Sequence, residues 1–302
     1  MKPAGLESVS VRDLLVLAGR RMHAAGVRPA RPEGEFLMAH VLGWDRARLV
    51  AFGGTIVPAA TAARFSALVD GRCRRVPAAY LAGEREFMGL AITVTPAVLI
   101  PRPETEILVE TVLRDRTRPF RLLDIGTGSG CITTALLKTP GGAAQAVALD
   151  ISPAALAVAR GNAERHGVAG RVEFRASDLC AALDPAERFD VITANLPYVT
   201  TGEWAGLDPE VRDHEPRAAL DGGADGLDLI RRCVTAAGRF LAPGGALYLE
   251  VGHTQAAAVA GLIRAAGNYG PVRVVRDYSG IDRVVCAGRA GSALGSEEIS
   301  DG

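Results

Sequence analysis

Two short runs in this chain of 302 residues have the types and spacing for chemistry. The first is Gly126-Thr127-Gly128-Ser129-Gly130, which joins an apolar run ending at Ile125 to a helical pattern. Glycines let a backbone pass close beneath a ligand, and a helix starting there offers free N–H groups. A dinucleotide fingerprint reads GxGxxG, and Cys131 stands where its third glycine belongs, so the spacing here is GxGxG instead. The second run is Asn195-Leu196-Pro197-Tyr198, at the end of a predicted strand. Ligand sites in open α/β sheets lie beyond the carboxyl ends of strands. An amide or aryl-amine nitrogen is a poor nucleophile, because its lone pair is delocalised. Acceptors that grip its two N–H bonds aim that lone pair at an electrophile. The Asn195 side-chain oxygen and the Leu196 carbonyl can be those acceptors, and Tyr198 can lie against the flat group. Such acceptors help most as charge moves onto the nitrogen. Either run alone would also suit a plain turn.

The GxGxG spacing resembles that of the class I methyltransferases, which hold the methionine part of S-adenosylmethionine there. Asp150 ends the next predicted strand, where an acidic residue accepts from both hydroxyls of a ribose. Asp178 follows the third strand and either meets an adenine amino group or caps a helix. Together these features favour S-adenosylmethionine over NAD. The Asn-Leu-Pro-Tyr run resembles the Asn-Pro-Pro-Tyr loop of amino-group methyltransferases.

The elements that must position these runs alternate. Apolar patterns predict strands at 120–125, 144–150, 171–175, 189–194, 246–251, 272–277 and 283–287. Helices are predicted at 129–138, from Ser152-Pro153 to about His166, at 225–241 and at 254–267. The alternation predicts a parallel, doubly wound sheet over 103–290. Ahead of it, Val11, Leu14, Leu15, Ala18 and Met22 share a helix face, and Ser10 with Asp13 has capping-box spacing. Phe36, Leu37, His40 and Val41 predict a second helix ended by Gly43, with His40 on or beside the core face. Ala62, Phe65, Val69 and Cys73 predict a third, opened by Thr61. The expectation is a helical bundle over 1–80 and a linker over 81–102, with a hairpin from 92–95 and 98–100. A helix then starts at Ile107, and a polar, disordered tail covers 291–302.

Hydrophobic residues at 48% and charged residues at 23% suit a globular protein. No apolar run reaches the ~18 residues of a membrane helix. Met1 to Ser10 lacks the apolar stretch of a secretion signal. Cysteines 73, 131, 180, 233 and 286 form no CxxC pair, which predicts reduced thiols in a cytoplasm and no metal site. Lys+Arg and Asp+Glu are 34 each, so bulk charge carries no hint of nucleic-acid binding. Residues 1–85 nevertheless hold thirteen Lys/Arg against seven Asp/Glu, a net +6 that the rest balances. That front is either a solvated helical surface or a docking face for an acidic or RNA-bound partner.

The resemblance becomes specific when the motifs are taken in order: Arg102-Pro103-Glu104-Thr105-Glu106, the glycine run, Asn195-Leu196-Pro197-Tyr198, Glu215-Pro216-Arg217-Ala218-Ala219-Leu220, Asp221 to Leu227, and Leu249-Glu250-Val251-Gly252 with Gln255. From about Arg12 to Ala287 the chain resembles the HemK/PrmC family, the glutamine methyltransferases of peptide chain release factors. The resemblance implies a class I (Rossmann-like) S-adenosylmethionine-dependent methyltransferase sheet preceded by a small α-helical N-terminal domain. That domain would dock a class 1 release factor, and the sheet domain would methylate the side-chain amide of the glutamine in its Gly-Gly-Gln loop. A cytoplasmic monomer with no membrane or direct nucleic-acid partner is expected.

Carried over residue by residue, Gly126, Thr127, Gly128, Ser129 and Gly130 would hold the amino acid end of S-adenosyl-L-methionine. Asp150 would bind its ribose, and Leu179, after Asp178, would flank its adenine. Asn195, Leu196, Pro197 and Tyr198 would bind the glutamine, with Asn195, Pro197 and Tyr198 catalytic and Asn195 also against the cofactor. Arg102, Glu104 and Thr105 would form a lid. Leu196 replaces the family's first proline. It keeps the backbone carbonyl and gives up rigidity worth up to ~1 kcal/mol. The alternatives are an amino-methyltransferase acting on adenine or another protein glutamine, a non-enzymatic scaffold, and an NAD-linked dehydrogenase.

Overall fold

Ser10 and Asp13 open the first helix reciprocally. The Asp13 N–H donates to Ser10 Oγ, and the Ser10 N–H donates to Asp13 Oδ2, each at 3.2 Å. The computed structural model describes residues 9–291, so all but the first residue of the predicted tail lies outside the described residues. The helices α1 (Val11–Ala24), α2 (Ala30–Leu42), α3 (Arg46–Ala51), α4 (Ala59–Cys73) and α5 (Ala78–Ala82) come first. Gly43 ends α2 in the left-handed conformation, φ +65°. Pro58 stands at the N-cap of α4, so Thr61 lies inside its first turn and does not open it. Asp45 caps α3, which like α5 is too short to register as a periodic pattern. Val11, Met22, Leu37, Met38, Phe65 and Val69 form the core of this bundle. His40 is exposed, contrary to the expectation of a core-facing histidine.

A two-stranded sheet follows, β1 (Glu84–Phe87) and β2 (Leu90–Thr93). It lies earlier than predicted. Met88 and Gly89 both have positive φ, 50° and 72°, as a two-residue type I′ turn needs. Residues 98–100 form no strand. The chain continues as α6 (Pro103–Asp115), β3 (Phe120–Ile125), α7 (Cys131–Lys138), β4 (Ala143–Asp150), α8 (Pro153–Arg165), β5 (Val172–Ala176) and β6 (Phe189–Ala194). Then come α9 (Pro209–His214), α10 (Asp228–Ala237), β7 (Leu241–Glu250), α11 (Ala256–Ala266), β8 (Tyr269–Arg276) and β9 (Asp282–Arg289). Pro103 sits in the first turn of α6, which therefore starts before the apolar pattern at Ile107.

The seven-stranded sheet has the order β5-β4-β3-β6-β7-β9-β8. Strands β3 to β7 pair in parallel, while β9 is antiparallel to both β7 and β8. The expected parallel, doubly wound sheet is present in β3 to β7, and an antiparallel edge of β9 and β8 adds to it. Only a tight turn at 277–281 joins β8 to β9, and a connection that short joins antiparallel strands alone. The strand order reverses at β3, which makes a switch point between the neighbouring strands β3 and β6. Leu123, Ile125, Leu149, Ile192, Leu247 and Leu249 bury the sheet.

The chain forms two units. One holds the described residues up to Glu84 together with Asp208–His214; the other holds Arg85–Leu207 and the described residues from Glu215 on. Helix α9 therefore belongs to the helical unit, a segment absent from the expected 1–80 domain. There Arg72, 3% exposed, donates from Nε to Glu33 at 2.8 Å and from Nη2 to Glu210 at 2.6 Å. Arg75 pairs with the same Glu210 carboxylate.

Candidate active site

The site is built where β3 and β4 end. Gly126, Gly128 and Gly130 all adopt positive φ, +73°, +54° and +74°. The N–H groups of Gly126 and Thr127 donate to the Leu149 carbonyl at 2.8 and 2.9 Å, which ties the turn to β4. Asp150 fixes it from the other side. Its Oδ2 accepts the Gly128 N–H and its Oδ1 the Ser152 N–H, both at 2.9 Å. Each oxygen keeps a further lone pair for a ligand hydroxyl. Below the turn lies Asp124, 1% exposed, which accepts from the hydroxyls of Thr127, Thr133 and Thr193 at 2.7, 2.7 and 2.8 Å. Burial raises its carboxyl above the ordinary range, and the three hydroxyls only partly offset this. Asn162 of α8, fully buried, donates to the carbonyls of Ser129 and Thr93 at 2.9 Å each. Cys131 is buried, and burial pushes its thiol up to about 12, so it stays protonated.

A cavity of about 370 Å³ opens beside this turn. It brings together Gly126, Thr127, Gly128, Ser129, Asp150, Asp178, Leu179, Asn195, Leu196 and Pro197, with Arg102 and Thr105 from the segment before and within α6. Gly130, Tyr198 and Glu104 do not line it. Gly130 serves packing instead: a Cβ there would lie 3.0 Å from the Ala159 Cβ and 3.1 Å from its Cα. Asp178 caps no helix backbone; its Oδ2 accepts from Arg232 at 2.6 Å. Leu179 beside it has φ +49°.

The Asn195-Leu196-Pro197-Tyr198 loop leaves the end of β6. Asn195 Nδ2 donates to Thr105 Oγ1 at 3.2 Å. Leu196 is 4% exposed, with Cδ2 3.0 Å from where a Gly126 Cβ would be. Tyr198 is half-buried, and burial pushes its hydroxyl up to about 12, so it is neutral. Its carbonyl accepts from Gln255 Nε2 at 2.9 Å. The backbone around the loop is clamped by residues to which sequence reasoning gave no role. Val199 N donates to the Leu220 carbonyl at 2.9 Å, and Gly222 N donates to the Val199 carbonyl at 2.8 Å. A Cβ on Gly222 would fall 2.6 Å from the Pro197 carbonyl, and one on Gly226 would strike that of Tyr198. The run Gly222-Gly223…Gly226 was the available signal of such close approach. Glu215, 5% exposed, holds the other rim, accepting from Arg102 at 2.6 Å and from the Ile100 N–H at 3.1 Å.

These residues suit an adenosine bearing an amino acid. The glycine turn leaves a cradle, since a Cβ on Gly128 would meet only the Gly126 carbonyl, at 4.0 Å. Asp150 and Asp178 supply acceptors for hydroxyls and an amino group, and Leu179, Val98 and Leu229 supply apolar walls for a ring. The volume falls at the small end of the ~300–1,000 Å³ usual for ligand sites.

Comparison with known proteins agrees. Residues 13–83 match the family described as PrmC N-terminal domain, and residues 117–264 match a methyltransferase domain. The hMettl16 catalytic domain, solved with an RNA hairpin, superposes with a TM-score of 0.53 at 17% identity, covering 78% of this chain and 84% of that one. A T. thermophilus 16S rRNA methyltransferase solved with AdoMet and guanosine gives 0.51 at 21% identity, over 68% of this chain and 49% of that one. The second unit therefore has the fold of the class I methyltransferases. The release factor glutamine methyltransferase of Cereibacter sphaeroides is 46% identical over 277 residues, 91% of this chain and 97% of that protein. That of Geobacter sulfurreducens is 46% identical over 283 residues, 93% and 97% respectively. The chain belongs to the release factor glutamine methyltransferase family.

Proposed function

We propose that this protein transfers a methyl group from S-adenosyl-L-methionine to the side-chain amide nitrogen of the glutamine in the Gly-Gly-Gln loop of a class 1 release factor. The observation that carries the reading is that Asn195 and the glycine turn line one cavity at the switch point of the sheet. When bound, S-adenosylmethionine supplies an electrophilic methyl group on a sulfonium. Gly126 to Ser129 would hold its amino acid end, Asp150 its ribose, and Asp178 with Leu179 its adenine. Asn195 Oδ1 and the Leu196 carbonyl would accept the two N–H bonds of the glutamine amide and turn its nitrogen toward that methyl. Pro197 would stiffen the turn that aims both acceptors. Tyr198, neutral and packed behind the loop, would support it. Both acceptors gain strength as positive charge develops on the nitrogen.

The helical unit would dock the release factor. Its basic balance supports this, as do the apolar side chains it leaves exposed, Leu17 and Phe52 among them, with Val16 and Val50 lining one groove together with Arg12 and Arg20. Among the described residues no helix is long and apolar enough to cross a membrane. Action in the cytoplasm as a monomer is part of the proposal.

The test is mass spectrometry of purified release factor incubated with this protein and S-adenosylmethionine. One added methyl on the Gly-Gly-Gln peptide, located to the glutamine by fragmentation, is the expected result. An unmodified glutamine, or methylation only elsewhere, would overturn the reading.

A further inference from the structure

Glu250 is the last residue of β7 and is 2% exposed. Strand β7 lies beside β6 with Leu249 opposite Ala194, so Glu250 comes level with Asn195. A carboxylate buried this deeply needs partners. Yet Glu250 Oε2 has no hydrogen-bond partner among the described residues. The neighbours that favour its charged form are the Thr105 hydroxyl, the Arg283 guanidinium from β9 and the Asn195 amide; Glu104 opposes them. Arg283 itself donates to Asp277 at 2.9 Å, so it does not neutralise Glu250 alone. Tyr198 and Cys131 also feel the carboxylate, and both are neutral. Burial outweighs the favourable neighbours and pushes the Glu250 carboxyl up to about 7.

The arrangement resolves an ambiguity in Asn195. A primary amide has a donor end and an acceptor end of nearly equal shape, and its surroundings decide which way it faces. Only the acceptor end can grip a substrate N–H. Asn195 Nδ2 donates to Thr105 Oγ1 at 3.2 Å, which occupies that hydroxyl as an acceptor. The Thr105 proton is then free to be given to an acceptor, and Glu250 is the adjoining one.

We infer that Glu250 is a positioning residue that, together with Thr105, holds the donor end of the Asn195 amide and so keeps its oxygen turned into the cavity. This rests on the proposed glutamine methylation. An ionised Glu250 can only accept, so Thr105 must donate to it and accept from Asn195. A protonated Glu250 can donate instead, the Thr105 hydroxyl can reverse, and the amide is released to turn over.

The experiment compares full-length wild type with Glu250→Gln, Thr105→Val and Thr105→Ser, alone and each combined with Asn195→Ala. The readouts are kcat and KM for release factor from pH 5.5 to about 9, S-adenosylmethionine affinity by calorimetry, and thermal melts. Glu250→Gln and Thr105→Val should each lower kcat about 10-fold or more, on the scale of losing a preorganised polar group. Cofactor affinity should stay within about 3-fold of wild type, far less than one direct hydrogen bond to a charged group is worth. Thr105→Ser should restore most of the rate. In the Asn195→Ala background neither change should lower kcat further, because groups acting through one another are not additive. Wild-type kcat should fall below about pH 7, and Glu250→Gln should flatten that limb. Additive losses, or an acid limb that survives in Glu250→Gln, would overturn the inference. If Glu250→Gln does not fold, the Thr105 pair decides alone by the same additivity test. A wild type that leaves the release factor glutamine unmodified removes the functional reading itself. An active wild type with full-rate variants removes only this role.

Discussion

Gly126 and Leu196 fit together as absence and occupant: a Cβ on Gly126 would sit 3.0 Å from Leu196 Cδ2 and 3.7 Å from the Asn195 carbonyl. The glycine turn and the Asn195–Tyr198 loop are therefore in van der Waals contact through one leucine side chain. Gly126→Ala should strain a backbone held at φ +73° and push on the loop at once. The expected cost is about 1–3 kcal/mol for the strained conformation, with a matching loss of S-adenosylmethionine affinity. Adding Leu196→Ala should relieve the crowding and leave the φ penalty. Calorimetry and melts on the single and double variants check this; a wild-type affinity in Gly126→Ala would remove the glycine turn from the cofactor site.

Asp150→Ala should weaken S-adenosylmethionine binding about 10- to 150-fold, the equivalent of roughly 1.5–3 kcal/mol for a hydrogen bond to a charged group. The two N–H bonds Asp150 accepts from Gly128 and Ser152 add a second effect, a loosened turn. Asp150→Asn keeps one acceptor oxygen and should fall between the two. Titration of all three proteins distinguishes the cases, and unchanged affinity in Asp150→Ala would take it out of the site.

Asn195→Ala should leave cofactor affinity nearly intact and cut methylation about 10²-fold or more. Leu196→Pro keeps the carbonyl, so the reaction should survive it. Loop stiffening from proline would be offset here, because the leucine side chain is 4% exposed and its packing is lost. Truncating a buried leucine costs about 2–5 kcal/mol, and a proline ring retains part of that volume. The melt should therefore drop more than the rate does. Near-normal turnover in Asn195→Ala would mean the loop is only a turn.

Glu210 offers a test by pH. Burial tends to raise its carboxyl, but hydrogen bonds from Arg75 and Arg72 outweigh that and hold it below the ordinary carboxylate range. A carboxyl depressed in the folded state stabilises the protein above its unfolded pKa, and that contribution is lost as pH falls through the folded value. Acid should therefore destabilise the helical unit, and Glu210→Gln should lose part of this dependence while melting lower at neutral pH. With Glu33 still paired to Arg72, the neutral-pH loss should stay under the ~3–5 kcal/mol typical of breaking a buried pair. Identical acid melting curves for both proteins would refute the role.

Strands β3 and β6 and the capping box of α1 were legible because each is written locally, in apolar runs or in two residues three apart. The two runs that line one cavity were legible for the same reason. The antiparallel edge was missed although the short 277–281 turn announces it. Buried polar relationships were not readable. The Asp124 carboxylate gathers hydroxyls from Thr127, Thr133 and Thr193, and Asn162 reaches back to Thr93, 69 positions earlier. Such pairings depend on which elements become neighbours, and no spacing in one chain records that. His40 failed for the opposite reason: a helical pattern fixes a stripe, but the edge of the stripe decides exposure.

The Glu210 carboxylate that buried Arg72 takes lies 138 positions downstream. A nascent chain that has delivered α1 to α5 has thus not delivered the whole helical unit. At ~5–20 residues per second of synthesis, Arg72 waits on the order of ten seconds, while β3 through β6 emerge, before its second acid arrives. The helical unit, begun first, is therefore finished only after β3 to β6 have been made, and a chain stalled before residue 210 should present a bundle with a buried arginine half paired.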